Sequence, residues 1–210
     1  MARSAFVPVL QGAARDRPDE EDTLIAAEAV AGALARLGFR TDVVHLGLDF
    51  AAIDRLVAER PDCVFNLVEA IDGDAGLAHI APALLEHHGL RYTGASAGSW
   101  RTLMSKPAVK DRLIAAGLPT PSWSSDGHGF DAGDRVIVKS LVEHASFGID
   151  AASVVPADRA PREIAAREAR FGGTFFAEAF IEGREFNISV IEGATGPVVL
   201  PPAEIEFIDF

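Results

Sequence analysis

At 210 residues the chain has room for one large domain or two small ones. Its 49% hydrophobic and 24% charged content is ordinary for a globular protein and excludes disorder as its general state. A formal charge of −12 excludes nucleic acid or an anionic membrane as the main partner, because a phosphate backbone calls for a basic face. A small anion held by a few local cations stays open.

The opening MARSAFVPVLQGAA has a faint likeness to a signal peptide. Its apolar core is only about six residues, broken by Pro8, which is short for that role. No run approaches the roughly 20 apolar residues of a membrane span, so a cytoplasmic protein is expected. Ala5 to Leu10 reads as a first strand. Glu20 to Leu37 carries apolar residues at helical spacing (Leu24, Ile25, Ala29, Leu34, Leu37), and Gly38 closes it. Thr41 to Leu46 is a second strand, Phe50 to Glu59 a short helix, and Asp62 to Leu67 a third strand that would bury the lone Cys63. Gly76 to His88 is a helix ended by Gly89, and Leu90 to Thr93 a short strand. Alternating strands and helices imply βαβ units and a parallel sheet. Ligands in such sheets sit beyond the carboxyl ends of the strands, here near Leu10-Gln11-Gly12 and Asn66 to Gly76. Residues 1–95 are therefore expected to form one α/β domain.

The pattern then changes. Ser96 to Met104 and Lys106 to Ala116 read as helices, the second stopped by Gly117-Leu118-Pro119-Thr120-Pro121. Arg135 to Ser140 is a strand, Ala157 to Arg170 a helix, and Thr174 to Phe180 and Glu185 to Ile191 two strands around a Glu-Gly-Arg-Glu turn. Residues 96–210 are expected to form a separate α+β domain.

Chemistry concentrates in this second part. Lys139 ends a strand, where a lysine is commonly solvated, but Glu143 to Gly148 is a small-residue loop that could donate backbone N–H groups to a phosphate. No G-x-x-x-x-G-K-[ST] phosphate loop occurs. Lys106 and Lys110 lie four apart on one helix face, either simply solvated or with Lys106 aimed at the same anion. Glu178 stands between Phe176 and Phe180, which is out of place on a core-facing strand unless the carboxylate has a partner. If Lys139 and Lys106 hold phosphates, Phe180 and Ile181 can supply an apolar slot whose backbone N–H and C=O read an adenine edge. Glu178 can then accept from an amino group or pair with a lysine, and Glu185 can accept from ribose hydroxyls. The bland alternative is an exposed hairpin with solvated glutamates. The histidines form no site by spacing.

Several segments occur in one order: Phe65-Asn66-Leu67, Tyr92-Thr93-Gly94, Lys106, Gly117-Leu118-Pro119-Thr120-Pro121, Val136-Ile137-Val138-Lys139, and Glu178-Ala179-Phe180-Ile181-Glu182-Gly183-Arg184-Glu185. Together they resemble the D-alanine–D-alanine ligase branch of the ATP-grasp superfamily, from about residue 60 to 206. The resemblance implies a parallel-sheet pre-ATP-grasp domain (1–95) followed by an incomplete ATP-grasp domain (96–210), with its α+β lid and the start of its C-terminal subdomain. It implies ATP as cosubstrate, with Lys106, Lys139 and Ser146 at the phosphates, Glu178, Phe180 and Ile181 around adenine, and Glu185 at the ribose. The reaction implied is carboxylate–amine ligation through an acylphosphate, with Glu69 the candidate for contact with a small amino-acid or carboxylate substrate.

The sequence departs from that family in places. His144-Ala145-Ser146 replaces a Gly-Ser-Ser run, Gln11 to Glu20 lacks the Gly-Gly-x-Ser-x-Glu segment, and Val68 to Asp74 differs from the expected His-Gly and Gly-Glu-Asp-Gly. The family's Mg²⁺ ligands, an aspartate and a Glu-x-Asn pair, are expected downstream of residue 210, so no metal site is expected in these residues. The chain is accordingly expected to be a truncated form or partial gene without ligase activity of its own. Glu204 and Glu206 alternate on one strand face and read as a solvent-facing edge. A non-catalytic nucleotide-binding or interaction module is the rival expectation, and an α/β protein for a small molecule other than a nucleotide the third. A homodimer stays open, since sequence does not reveal oligomeric state.

Overall fold

The structure, a computed structural model, describes residues 4–12, 21–142 and 147–206. In the first part, β1 (Val9–Gln11) is the centre of a parallel sheet, flanked by β2 (Val43–His45) and β3 (Phe65–Asn66). Pairing continues beyond these short strands as parallel bridges, Phe6 with Arg40 and Val64 with Tyr92. The segment 90–93, expected as a strand, is reduced to that second bridge, and Cys63 is half-buried just before β3 rather than inside it.

Two helices cover one face and one the other. Leu10, Val44 and Val64 pack with Ile53 and Leu56 of α2 (Ala51–Glu59) and with Leu85 of α3 (Ile80–His87). Val9 and Phe65 point the opposite way, onto Ala27, Val30 and Ala31 of α1 (Glu21–Arg36). Each fully buried leucine here contributes about 1.5–3 kcal/mol, so the strands read as continuous apolar runs. Helix α1 ends as the sequence predicts: Gly38 takes φ 88°, its N–H bonds Ala35 O, and the Phe39 N–H reaches back to Leu34 O. The helix expected over 76–88 is broken. Asp74 caps a 3-10 turn, Ala75–Leu77, and α3 starts only at Ile80.

Asp72 and Gly73 both take positive φ (53° and 77°), and Ile71 and Asp74 exchange both backbone hydrogen bonds across them. This is the two-residue hairpin turn that an Asp-Gly pair favours. It brings Ala70 against the end of β1 so closely that a Cβ on Gly12 would lie 1.9 Å from Ala70 O. Only glycine fits there.

The second part begins with α4 (Ala97–Leu103), capped by Ser96, and α5 (Lys106–Ala115), capped by Ser105 with Pro107 in its first turn. A four-stranded antiparallel sheet follows, in the order β4 (Trp123–Ser124), β7 (Phe175–Ala179), β5 (Arg135–Ser140), β6 (Val154–Pro156). One face packs on α6 (Ala160–Phe171): Val136, Val138, Phe175 and Ala177 meet Ala160 and Ile164. Helix α6 is preceded by a 3-10 turn at Ala157–Arg159, so the single helix expected from Ala157 starts three residues later, with Pro161 in its first turn.

The expected pair of strands around the Glu-Gly-Arg-Glu turn is not a hairpin. β7 lies between β4 and β5, whereas β8 (Glu185–Asn187) pairs with β11 (Ala203–Ile205). The run 185–191 is also split, and its second half enters β9 (Val190–Gly193), paired with β10 (Gly196–Val199). Among the described residues no helix is long and apolar enough to cross a membrane.

Candidate functional site

The site grows from alternation along β5 and β7. Because Val136, Val138, Phe175 and Ala177 face α6, the pleat turns Ile137, Lys139, Phe176 and Glu178 to the opposite face. Ile137 lies across from Glu178 and Lys139 across from Phe176, which makes Lys139 and Glu178 diagonal neighbours within reach of each other. They form an ion pair through Lys139 Nζ and Glu178 Oε1.

A second lysine completes the cluster. From α5, Lys110 Nζ lies 2.6 Å from Glu178 Oε2. It also donates to Thr120 Oγ1 (3.1 Å) and Pro121 O (3.0 Å) in the chain that follows the helix. Lys110 and Glu178 are 6% and 8% exposed, so both charges lie out of water. Glu178 thus has the partners that its place in a central strand requires. The side chain of Lys139 is 23% exposed, the outermost of the three.

Lys106, one turn before Lys110, donates from Nζ to Ser140 O at 2.9 Å, and its N–H reaches Leu141 O at 3.3 Å. The N-terminus of α5 is thereby pinned to the end of β5, one residue beyond Lys139. Lys110, on a helix face that the sequence offers as solvated, is buried. The i, i+4 spacing put both lysines on one face, but nothing local marked that face as the buried one.

The strip leading out of β7 runs past this cluster. Phe180 is half-buried, with the Arg135 guanidinium 4.8 Å from its ring centroid, while Ile181 is 67% exposed. The Phe180 N–H donates to Arg135 O at 2.9 Å. Of the backbone N–H and C=O groups of Phe180 and Ile181 expected to read a base edge, the Phe180 N–H is thus already taken up by β5. Glu185 is exposed at the start of β8, across from Ile205.

Of the small-residue loop, 143–146 lie outside the described residues, and the Ser146 assignment with them. The returning half is firmly tied. Arg167, only 3% exposed, donates to Gly148 O and to Asp150 Oδ1 (2.7 Å) and pairs with Glu163 (2.7 Å). The guanidinium holds the Asp150 carboxyl below the ordinary range. Gly148 has φ 64°, and a Cβ there would meet the Phe175 ring at 3.0 Å.

In the first part of the chain, Glu69 is exposed beside a cavity of about 250 Å³ that it lines with Asp22, Thr23, Ala26 and Leu67. This cavity lies at the carboxyl end of β3, as strand order predicts.

Among the described residues no group of three or more histidine, cysteine, aspartate or glutamate side chains converges. Glu204 is occupied by Arg184, which grips it with two hydrogen bonds of 2.6 Å each and holds its carboxyl below the ordinary range.

No protein-family model matches the chain. Known proteins do. The chain is 34% identical over 194 residues to a D-alanine–D-alanine ligase of Caulobacter sp. (strain K31), covering 89% of this chain and 58% of that protein. A ligase of the same name from Rhizobium meliloti (strain 1021) is 30% identical over 218 aligned positions, covering 100% of this chain and 67% of that one. The chain therefore spans between about half and two thirds of these relatives' length. Among solved structures, D-alanyl-alanine synthetase A from Vibrio cholerae superposes with a TM-score of 0.70 at 15% identity, covering 98% of this chain and 69% of that one. The ATP complex of a D-alanine–D-alanine ligase from Bacillus anthracis gives 0.64 at 16%, covering 98% and 72%. Structural likeness at that identity speaks for the ATP-grasp fold, and the sequence identities speak for kinship. By its identity to the Rhizobium meliloti ligase over the whole of this chain and two thirds of that one, the chain belongs to the D-alanine–D-alanine ligase family.

Proposed function

We propose that this chain carries the ATP-binding part of an ATP-dependent carboxylate–amine ligase of the D-alanine–D-alanine type, acting in the cytoplasm. The observation that carries the reading is the cluster of Lys106, Lys139, Lys110 and Glu178 beside the apolar strip of Phe180 and Ile181. It supplies cations for phosphate, a carboxylate acceptor, and a surface for a base within one face of one sheet. Lys106 and Lys139 bind the phosphates, and Lys139, the more exposed partner of Glu178, leaves that carboxylate to do so. Glu178 accepts from the adenine amino group, the Ile181 N–H reads the ring edge, and Glu185 accepts from the ribose. Ser146 completes the phosphate loop. In this reading 1–95 forms the pre-ATP-grasp domain, Glu69 contacts the amino-acid substrate, and 96–210 forms the ATP-grasp part.

The chemistry proposed is transfer of the γ-phosphoryl group of ATP to a substrate carboxylate, giving ADP and an acylphosphate. An amine then attacks the acyl carbon and expels phosphate. The protein's share is positioning and neutralisation of charge by the lysines. Mg²⁺ is typical of such transfers and would offset charge on the phosphates when bound.

Titration calorimetry of the 210-residue chain with ATP tests the binding role. Saturable binding that weakens in Glu185→Ala supports it. Absence of binding at millimolar nucleotide, or binding indifferent to Glu178, Lys139 and Glu185, overturns it.

A further inference from the structure

Glu178 has two cations, and they are not equivalent. Lys139 is on the neighbouring strand, partly exposed, with a chain long enough to swing along the sheet face. Lys110 is buried and fixed from three sides, by Glu178 Oε2, Thr120 Oγ1 and Pro121 O. Its helix is tied at its start to the end of β5. Ser105 and the Lys106–Leu141 backbone bond hold the start. Gly117 at φ 71° closes the helix, with Gly117 N–H to Ile114 O and Leu118 N–H to Leu113 O. One carboxylate oxygen is thus held by a partly exposed lysine and the other by a buried lysine with two further acceptors.

We infer that Lys110 is a positioning residue for purine recognition: it pins Glu178 Oε2 so that Oε1 stays aimed at the base when Lys139 departs to the phosphates. The inference rests on the proposed nucleotide reading. A carboxylate with Lys139 as sole partner would follow that lysine toward the triphosphate, or turn to solvent, because a lone buried charge is strongly disfavoured. With Lys110 in place it keeps its counter-ion and its rotamer throughout. Oε1 is then free to accept from an exocyclic amino group without reorganisation. Lys110 touches neither base nor phosphate; it acts through Glu178.

The prediction concerns a ratio of affinities rather than affinity itself. ATP and purine riboside 5′-triphosphate differ only in the 6-amino group, so their ratio isolates the hydrogen bond to Glu178. A bond to a charged acceptor makes that ratio about tenfold or more in the unaltered chain. In Lys110→Met the ratio falls below about threefold, and Lys110→Arg, which keeps the charge, restores most of it. A role for Lys110 in stability alone would weaken both nucleotides together and leave the ratio unchanged, which overturns the inference while the nucleotide reading stands. If the unaltered chain binds neither triphosphate, both fall. Should Lys110→Met not unfold cooperatively, Lys110→Gln carries the same comparison.

Discussion

Replacing Glu178 by alanine is expected to destabilise the fold by an amount that can be worked from its partners. Removing one member of a buried ion pair costs about 3–5 kcal/mol, because the remaining charge is left without compensation. Here two lysines lose their partner, but unequally. The Lys139 side chain is 23% exposed and turns to water at little cost. The Lys110 side chain, 8% exposed, is stranded, yet keeps Thr120 Oγ1 and Pro121 O as acceptors. The loss should therefore fall near the lower end, about 3 kcal/mol. The control is Lys110→Met with Glu178→Leu, which replaces the charged pair by apolar side chains of similar size and should recover most of the loss. Urea unfolding followed by tryptophan fluorescence gives both values, provided the m-value is unchanged. A Glu178→Ala midpoint within error of the parent would refute the reasoning. So would a double variant as unstable as the single one.

Other expectations follow from neighbouring features. Lys139→Ala should weaken ATP binding by about 1.5–3 kcal/mol, the scale of a charge-assisted hydrogen bond, and equal calorimetric affinities would remove Lys139 from the site. Arg167 depresses the Asp150 carboxyl, so that contribution is present above the unfolded-state value of about 4 and is lost as pH falls through the folded one. The gap in urea midpoint between the parent and Asp150→Asn should be open at pH 6 and close under acid; a gap independent of pH would contradict this. Tyr92 is the only tyrosine, its phenol pushed up to about 12 by burial and by its hydrogen bond to Glu86. Phenolate absorbance should appear correspondingly late and shift down in Glu86→Gln, and titration near 10, the free value, would disprove that contact.

The residues that gave up their structure most readily were those governed by local chemistry. Arg135–Ser140 emerged with its bounds intact, since a β-branched run closed by polar residues admits few other readings. Gly38 and Gly117 were legible as stops because a helix end needs a residue tolerant of positive φ. What stayed hidden was non-local. A glycine turn between two β-rich runs is the ordinary hairpin pattern, yet β7 found its partners at Trp123–Ser124 and Arg135–Ser140, and β8 its own at Ala203–Ile205. β4, two residues among prolines and serines, has too little pattern to be read at all.

The candidate site divides the same way. Lys139 pairs with Glu178, a lysine partner that the place of that carboxylate in an apolar strand called for, while Lys106 bonds the backbone of Ser140 at the end of β5. The burial of Lys110 is not legible beside Lys106 on its helix face, because it depends on a carboxylate delivered by a distant strand. The bond from the Phe180 N–H to Arg135 O is invisible in the sequence because it exists only once β5 and β7 are paired.

A crystal structure of the chain with a non-hydrolysable ATP analogue tests the central claim most directly. The account predicts Lys139 Nζ transferred from Glu178 to a phosphate oxygen, the Lys110–Glu178 pair intact, and adenine lying along Phe180 and Ile181 with its amino group on Glu178 Oε1. Nucleotide bound elsewhere, with Lys139 still on Glu178, would contradict it.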